Sequence, residues 1–170
     1  MTASSCRHPS RRCTDVGVTF DEDELWDFLD DTHTGILTTL RADGWPLALP
    51  VWFVTADHRI YVRTPARTRK VAHVRRDPRV CFTAEAGVSW GELRAVVLTG
   101  HAHVLPEGDE RDRVFGLISE KYKGFGIPVD EVPAATIRHY DTASAVLRVD
   151  PDPQTVSWDN RKLRRRSGGS

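Results

Sequence analysis

The sequence predicts one mostly β domain with a few short helices laid against it. Two observations carry that reading. Apolar, β-branched runs at Leu47 to Val54 and Ile60 to Thr64 flank a polar break, Thr55-Ala56-Asp57-His58, which is the pattern of two strands joined by a tight turn. Further runs of strand character recur at Thr34 to Arg41, Arg79 to Thr83, Leu93 to Leu105, Ala143 to Val149 and Thr155 to Trp158, whereas three stretches show helical period. At 170 residues the chain suits one domain that buries roughly two-thirds of its unfolded surface.

Taken in order, residues 1–16 are rich in Ser, Thr, Arg and Cys and lack an apolar period, so they read as a disordered tail. Cys6, His8 and Cys13 could ligate a metal, but a structural zinc site takes four well-placed ligands. The folded domain spans 17–163. Thr19-Phe20-Asp21-Glu22 fits a capping box with Thr19 as N-cap. The helix after it sets Leu25, Trp26, Phe28 and Leu29 against acidic residues, as a core-covering helix does. In the strand from Thr34 to Arg41, Ile36, Thr38 and Leu40 share a face, and Ala42-Asp43-Gly44 turns it back. Pro46 and Pro50 interrupt the next strand. A proline gives no N–H to a ladder, so this strand belongs at an edge or a bulge.

Pro65 ends the strand from Ile60. A short helix then fits Ala66 to Arg76 and stops at Asp77-Pro78, because the residue before a proline leaves the helical region. Residues 85–91 read as a loop holding Trp90, and Leu93 to Leu105 as one long strand on which His101 and His103 share a face. That histidine spacing could serve a metal, yet no third ligand accompanies it, and a solvent-facing pair is the simpler reading. Pro106-Glu107-Gly108-Asp109 leads into a helix from Glu110 to Tyr122, with Val114, Phe115, Leu117, Ile118 and Tyr122 as its apolar stripe. Residues 124–135 read as a loop able to lie over a site. After the last two strands, residues 158–166 form a basic run, and 164–170 read as a flexible basic tail.

The candidate site lies where strand hands over to helix. Arg63 closes the strand, and Thr68, Arg69 and Lys70 open the helix a few residues later. Backbone N–H groups at a helix start, with cations and a hydroxyl beside them, suit a phosphate or another anion. The same residues would also suit a solvated basic helix face.

Composition narrows the function. Lys plus Arg equals Asp plus Glu at 24 each, so the molecule is not a nucleic-acid-binding polycation. No apolar run approaches the roughly 20 residues of a membrane helix, and the N-terminus has no apolar core of a secretory signal. Three cysteines argue against a disulfide scaffold and fit a reducing cytoplasm. Nucleophile–base pairs, a P-loop, GxGxxG and zinc motifs are lacking, so hydrolysis and phosphoryl transfer have no support.

The order of the parts resembles the split β-barrel family of the pyridoxamine-phosphate-oxidase type, including its branch of coenzyme F-420 (deazaflavin)-dependent reductases. The residues that carry the resemblance are Gly35-Ile36-Leu37-Thr38-Thr39, Gly44-Trp45-Pro46, Pro50-Val51-Trp52-Phe53, Ile60-Tyr61-Val62-Arg63-Thr64, Arg69-Lys70, Arg75-Arg76-Asp77-Pro78-Arg79-Val80 and residues 94–102. It covers about Phe20 to Leu163. The resemblance implies an FMN-binding split β-barrel and a flavin- or deazaflavin-dependent oxidoreductase passing a hydride between coenzyme F-420 or FMN and a small organic acceptor. It implies that Leu49, Pro50 and Val51 run along the ring, and that Arg63, Thr64, Thr68, Arg69 and Lys70 hold the cofactor phosphate. It also implies that Trp158 and a following arginine reach across a homodimer interface toward the partner's cofactor. An open-sided barrel with an exposed aromatic-rich face needs such cover.

Two departures bear on the substrate. The oxidases proper carry a lysine near the position of Phe53, and Arg-Leu-His where this chain has Lys162-Leu163-Arg164. Trp52-Phe53 suits a flatter, less charged acceptor. The basic residues at the phosphate end suit the long anionic tail of coenzyme F-420 as well as FMN. The other readings are an FMN-dependent pyridoxamine-phosphate-oxidase-like enzyme, a non-catalytic flavin or haem carrier on the same fold, using His101 or His103, and a structural or regulatory barrel with an empty site.

Overall fold

Asp21 starts the first helix, α1 (Glu22–Asp31), in the computed structural model, which describes residues 18–125 and 143–163. The Asp21 carboxylate accepts from the Glu24 N–H and the Glu24 carboxylate from the Asp21 N–H, both at 2.9 Å. The expected Thr19 cap is thus displaced by two residues. The cause is long-range: Asp159 N–H donates to the Val18 carbonyl and Phe20 N–H to the Ser157 hydroxyl, which ties residues 18–20 to β7 and delays the helix until Asp21. Three acids then stand in the first turn, where the helix dipole favours them.

Seven strands follow: β1 (Thr34–Leu40), β2 (Pro46–Trp52), β3 (Val54–Ala56), β4 (Arg59–Pro65), β5 (Arg79–Ala86), β6 (Arg94–Val104) and β7 (Ser144–Asp159). They form one antiparallel sheet in the order β2-β1-β5-β6-β7-β4-β3. Helix α2 (Arg69–Arg76) joins β4 to β5, and α3 (Asp109–Lys121) follows β6. The outermost strands β2 and β3 are consecutive in sequence, separated by Phe53 alone. The sheet must therefore curl until its two rims meet, giving the mostly β split barrel that the sequence predicted.

The expected strand Leu47 to Val54 is in fact two. Its first part pairs with β1 and its last residue with β4. The Phe53 N–H between them goes to the Tyr122 hydroxyl at 2.8 Å instead of to a ladder. The turn after β3 is tighter than expected: Asp57 and His58 both take positive φ, 52° and 56°, the pair a two-residue hairpin turn demands. Pro46 and Pro50 lie on the rim strand β2, where missing donors do no harm.

The two strands expected at the end are one. In β7 the ladder to β6 skips between Leu98↔Thr155 and Gly100↔Pro151, so residues 152–154, Pro153 among them, leave the pairing without ending the strand. Gly100 is required there, since a Cβ would lie 2.3 Å from the Asp150 carbonyl oxygen.

The main core gathers the inward face of the curled sheet, including Leu37, Phe53, Ile60, Val62, Phe82, Val96, Leu98 and Leu147, under Leu25, Phe28 and Leu29 of α1 and Val71 and Val74 of α2. In β1 it is Gly35, Leu37 and Thr39 that face inward. Gly35 leaves the room the Phe82 ring fills, a Cβ being 2.2 Å from it. A second cluster joins Val54, Tyr61 and Val146 to Leu105, Val114, Ile118 and Tyr122 under α3. Leu117 is exposed and does not belong to the stripe expected of that helix. Strand β5 runs through Ala86, and Trp90–Glu92 form a 3₁₀ turn, both within the stretch expected to be loop.

Inside α2, His73 is buried, its Nδ1 2.9 Å from the Thr39 hydroxyl. Burial pushes its pKa below the ordinary value, helped by the Arg76, Arg41 and Arg69 cations against the opposing pull of Asp43. An unfolded chain takes up this proton near pH 6.5, which the folded chain resists. Stability is therefore full above that pH and falls as pH drops through the depressed folded value. Denaturant titrations between about pH 7.5 and 5 are expected to show a steeper loss for wild type than for His73→Gln; equal losses would refute the assignment.

Candidate functional site

The strand-to-helix junction folds into one wall of a groove. Arg63 and Thr64 lie just before the end of β4 at Pro65, and Thr68 stands as N-cap of α2 in an extended conformation, with no side-chain capping bond. The Val71 N–H donates to the Thr68 carbonyl at 3.2 Å, so within the first turn it is the Arg69 and Lys70 amides that lack an intrahelical partner. Lys70 Nζ donates to the buried Thr64 hydroxyl at 3.1 Å, and the Thr64 and Thr68 hydroxyls are 3.3 Å apart. Lys70 is half-buried, and burial pushes its ammonium below its ordinary pKa. Among the described residues no carboxylate pairs with Lys70, Arg63 or Arg69. Positive charge without a counter-charge, part of it desolvated, is the electrostatic form of an anion site.

The opposite wall comes from β2. Pro50, Val51 and Trp52, with Thr34, Arg63, Thr64, Pro65 and Lys70, line a cavity of about 520 Å³. A second cavity of about 320 Å³ shares Trp52, Arg63, Thr64 and Pro65 and adds Ile118, Ser119, Tyr122 and Ser144. Trp52, 47% exposed, stands between the two. Its indole stacks on the Tyr122 ring, centroids 4.4 Å apart and planes 6° from parallel. Tyr122 is itself fixed by its hydroxyl, which accepts from the Phe53 N–H and lies 2.6 Å from the His33 and 2.8 Å from the Phe53 carbonyl oxygens. Burial raises its pKa.

The structure thus brings together Pro50, Val51, Arg63, Thr64 and Lys70, with Thr68 joined through Thr64. It does not bring the others into the groove. Leu49 sits half-buried in the ladder opposite Leu37. Arg69 is exposed and lines neither cavity. Trp158 pairs with Ala95, whereas Arg63 and Thr64 pair with Val146 and Ala145 toward the other end of β7. Phe53, expected beside the acceptor with Trp52, is fully buried edge-on to Phe82, so Trp52 alone meets the groove.

Trp52's partners were missed. Tyr122 reads in the sequence as one more apolar position of the helix, and Ser119 and Ser144 carry no signal of their own; Ser144 comes beside Arg63 through the pairing of β4 with β7, Ser119 and Tyr122 through the packing of the α3 segment. Away from the groove, Lys162 Nζ donates to the Thr19 carbonyl and pairs with Glu24, so it serves the fold. His101 and His103 are half exposed and approach Asp152 and Asp150. No group of three or more metal-ligating side chains occurs among the described residues, and no helix there is long and apolar enough to cross a membrane. Residues 1–16, the Cys6, His8 and Cys13 set, most of the expected 124–135 loop and the 164–170 tail lie outside the described residues.

Comparison with known proteins agrees with this fold. The family described as pyridoxamine 5'-phosphate oxidase matches residues 21–152. Among curated proteins none matches. Among solved structures, the conserved protein Rv2991 of Mycobacterium tuberculosis is 31% identical, the match covering 92% of this chain and 96% of that one with a TM-score of 0.73. An FAD-binding protein of Mesorhizobium loti (20% identity, 82% and 94% covered, TM-score 0.62) and an F-420 reductase (19%, 76% and 94%, 0.56) share the fold. With the matched residues spanning most of the sequence and all seven strands in place, the chain belongs to the pyridoxamine 5'-phosphate oxidase family of split β-barrels.

Proposed function

We propose that the groove holds a flavin-type cofactor, coenzyme F-420 or FMN, and that the protein is an oxidoreductase moving a hydride between it and a small organic acceptor. The observation that carries this reading is Lys70: a half-buried ammonium on the cavity wall, bound to the Thr64 hydroxyl and to no carboxylate among the described residues. That donor set fits a phosphate-bearing cofactor. In this reading Arg63, Thr64, Thr68 and Lys70 bind the anionic end, Arg69 adds field from the helix start, and Pro50 and Val51, with Leu49 behind them, flank the ring. The FAD-binding and F-420 reductase relatives support a cofactor of this class.

The cofactor supplies the hydride chemistry. The chain's own residues bind, orient and exclude water. Trp52, held flat by Tyr122, offers a face for a planar acceptor in the compartment lined by Ile118 and Ser119. No lysine stands at the position of Phe53 and Lys162 is tied to Glu24, so a phosphorylated vitamin B6 substrate would lack partners here. The protein would act as a homodimer, its partner's Trp158 end closing the groove, which the exposed Trp45 and Trp52 favour.

The test is a titration of the purified protein with FMN and with coenzyme F-420, read by fluorescence quenching, in a sample whose mass in solution is measured. Saturable binding of at least one is expected, by a dimer. Binding of neither overturns the reading, and a haem absorbance band in its place would move the function to a carrier using His101 or His103.

A further inference from the structure

We propose that Phe115 is a positioning residue, whose ring face, in place of a carboxylate, holds the Arg63 guanidinium toward the anionic end of the bound cofactor. The proposal rests on the cofactor reading above and adds a residue that neither the sequence nor the family match assigns. Arg63 is exposed and lines both cavities. Its guanidinium carbon lies 5.1 Å from the centre of the Phe115 ring, and its Nε donates to the Ser144 hydroxyl at 3.3 Å. No acid among the described residues completes the set.

The choice of holder decides the charge. A carboxylate would fix the guanidinium and cancel it; an aromatic face attracts the cation through its quadrupole and leaves the net charge standing. Arg111 shows the contrast on the same ring. It is one helical turn before Phe115, 5.6 Å from the ring centre, but its charge is met by Glu107 at 3.1 Å. The charge left uncompensated at Phe115 is therefore that of Arg63, on the side of the groove.

The readout that separates positioning from packing is the preference for a phosphate. In Phe115→Leu, which keeps apolar volume and removes the ring, FMN affinity is expected to fall about three- to fivefold, the worth of an exposed cation–π contact, while riboflavin affinity stays unchanged. Phe115→Tyr should restore FMN binding, and on an Arg63→Gln background Phe115→Leu should have no further effect. If F-420 binds more tightly than FMN, the pair becomes F-420 against the deazaflavin without its tail. Should Phe115→Leu fail to fold, Arg63→Lys, which keeps charge and loses the flat face, is expected to show the same selective loss. Equal losses for the tailed and tailless ligands, or no loss, overturn the role of Phe115. A wild type that binds no flavin or deazaflavin at all overturns the cofactor reading first, and this inference with it.

Discussion

The Arg63→Ala, Lys70→Ala double variant is expected to bind its cofactor at least roughly a hundredfold more weakly than wild type. Hydrogen bonds to charged groups contribute about 1.5–3 kcal/mol each, and these two differ in setting. Lys70 is half-buried against Thr64 and works in a partly desolvated cavity, so its share should lie near the top of that range. Arg63 is exposed and screened by water and salt, so its share should be the smaller and should shrink as ionic strength rises. Calorimetric titration of both single variants and the double, at low and high salt, separates the two. Neither side chain belongs to the core clusters, so melting temperature should hardly move. A double variant that binds as wild type does would remove the site from this groove.

Tyr122→Phe is expected to destabilise the fold measurably through the loss of one oxygen atom. Its hydroxyl is the partner of the Phe53 N–H, and Phe53 is 0% exposed. Deleting it leaves a buried donor unmet, a penalty of about 1–3 kcal/mol. The melting temperature should fall by about 2–4 °C for each kcal/mol in a domain of this size. The stacked Trp52 loses its fixed neighbour as well, so cofactor or acceptor affinity should drop in proportion to the loosening. Unchanged stability in Tyr122→Phe would mean that water or a shifted backbone satisfies Phe53, and that the connection from β2 to β3 does not depend on α3.

What the sequence made legible is local. Helix α2 and its stop at Asp77-Pro78, the rim position of β2 from its prolines, and the cation-rich handover from β4 to α2 all follow from residues adjacent in the chain. What escaped depends on distant partners. The sequence puts the capping box at Thr19, and the contacts of residues 18–20 with β7 move it to Asp21. The break at Phe53 is invisible in an apolar run, because its cause is the Tyr122 hydroxyl at the C-terminal end of α3. The prolines of β7 look like an end and are a skipped register. In the site, Arg63, Thr64 and Lys70 could be found because they are close in sequence. Tyr122, Ser144 and Phe115 reach them through strand pairing and helix packing, which no short pattern encodes.

The rims of the sheet carry a last implication. One border strand is interrupted by Pro46 and Pro50, and the other is three residues long and tethered to the first through Phe53. Neither offers a continuous row of free amides and carbonyls on which a foreign strand could template. Among the described residues, these two rims therefore favour contacts through side chains over strand-to-strand pairing, a built-in guard against runaway cross-β stacking.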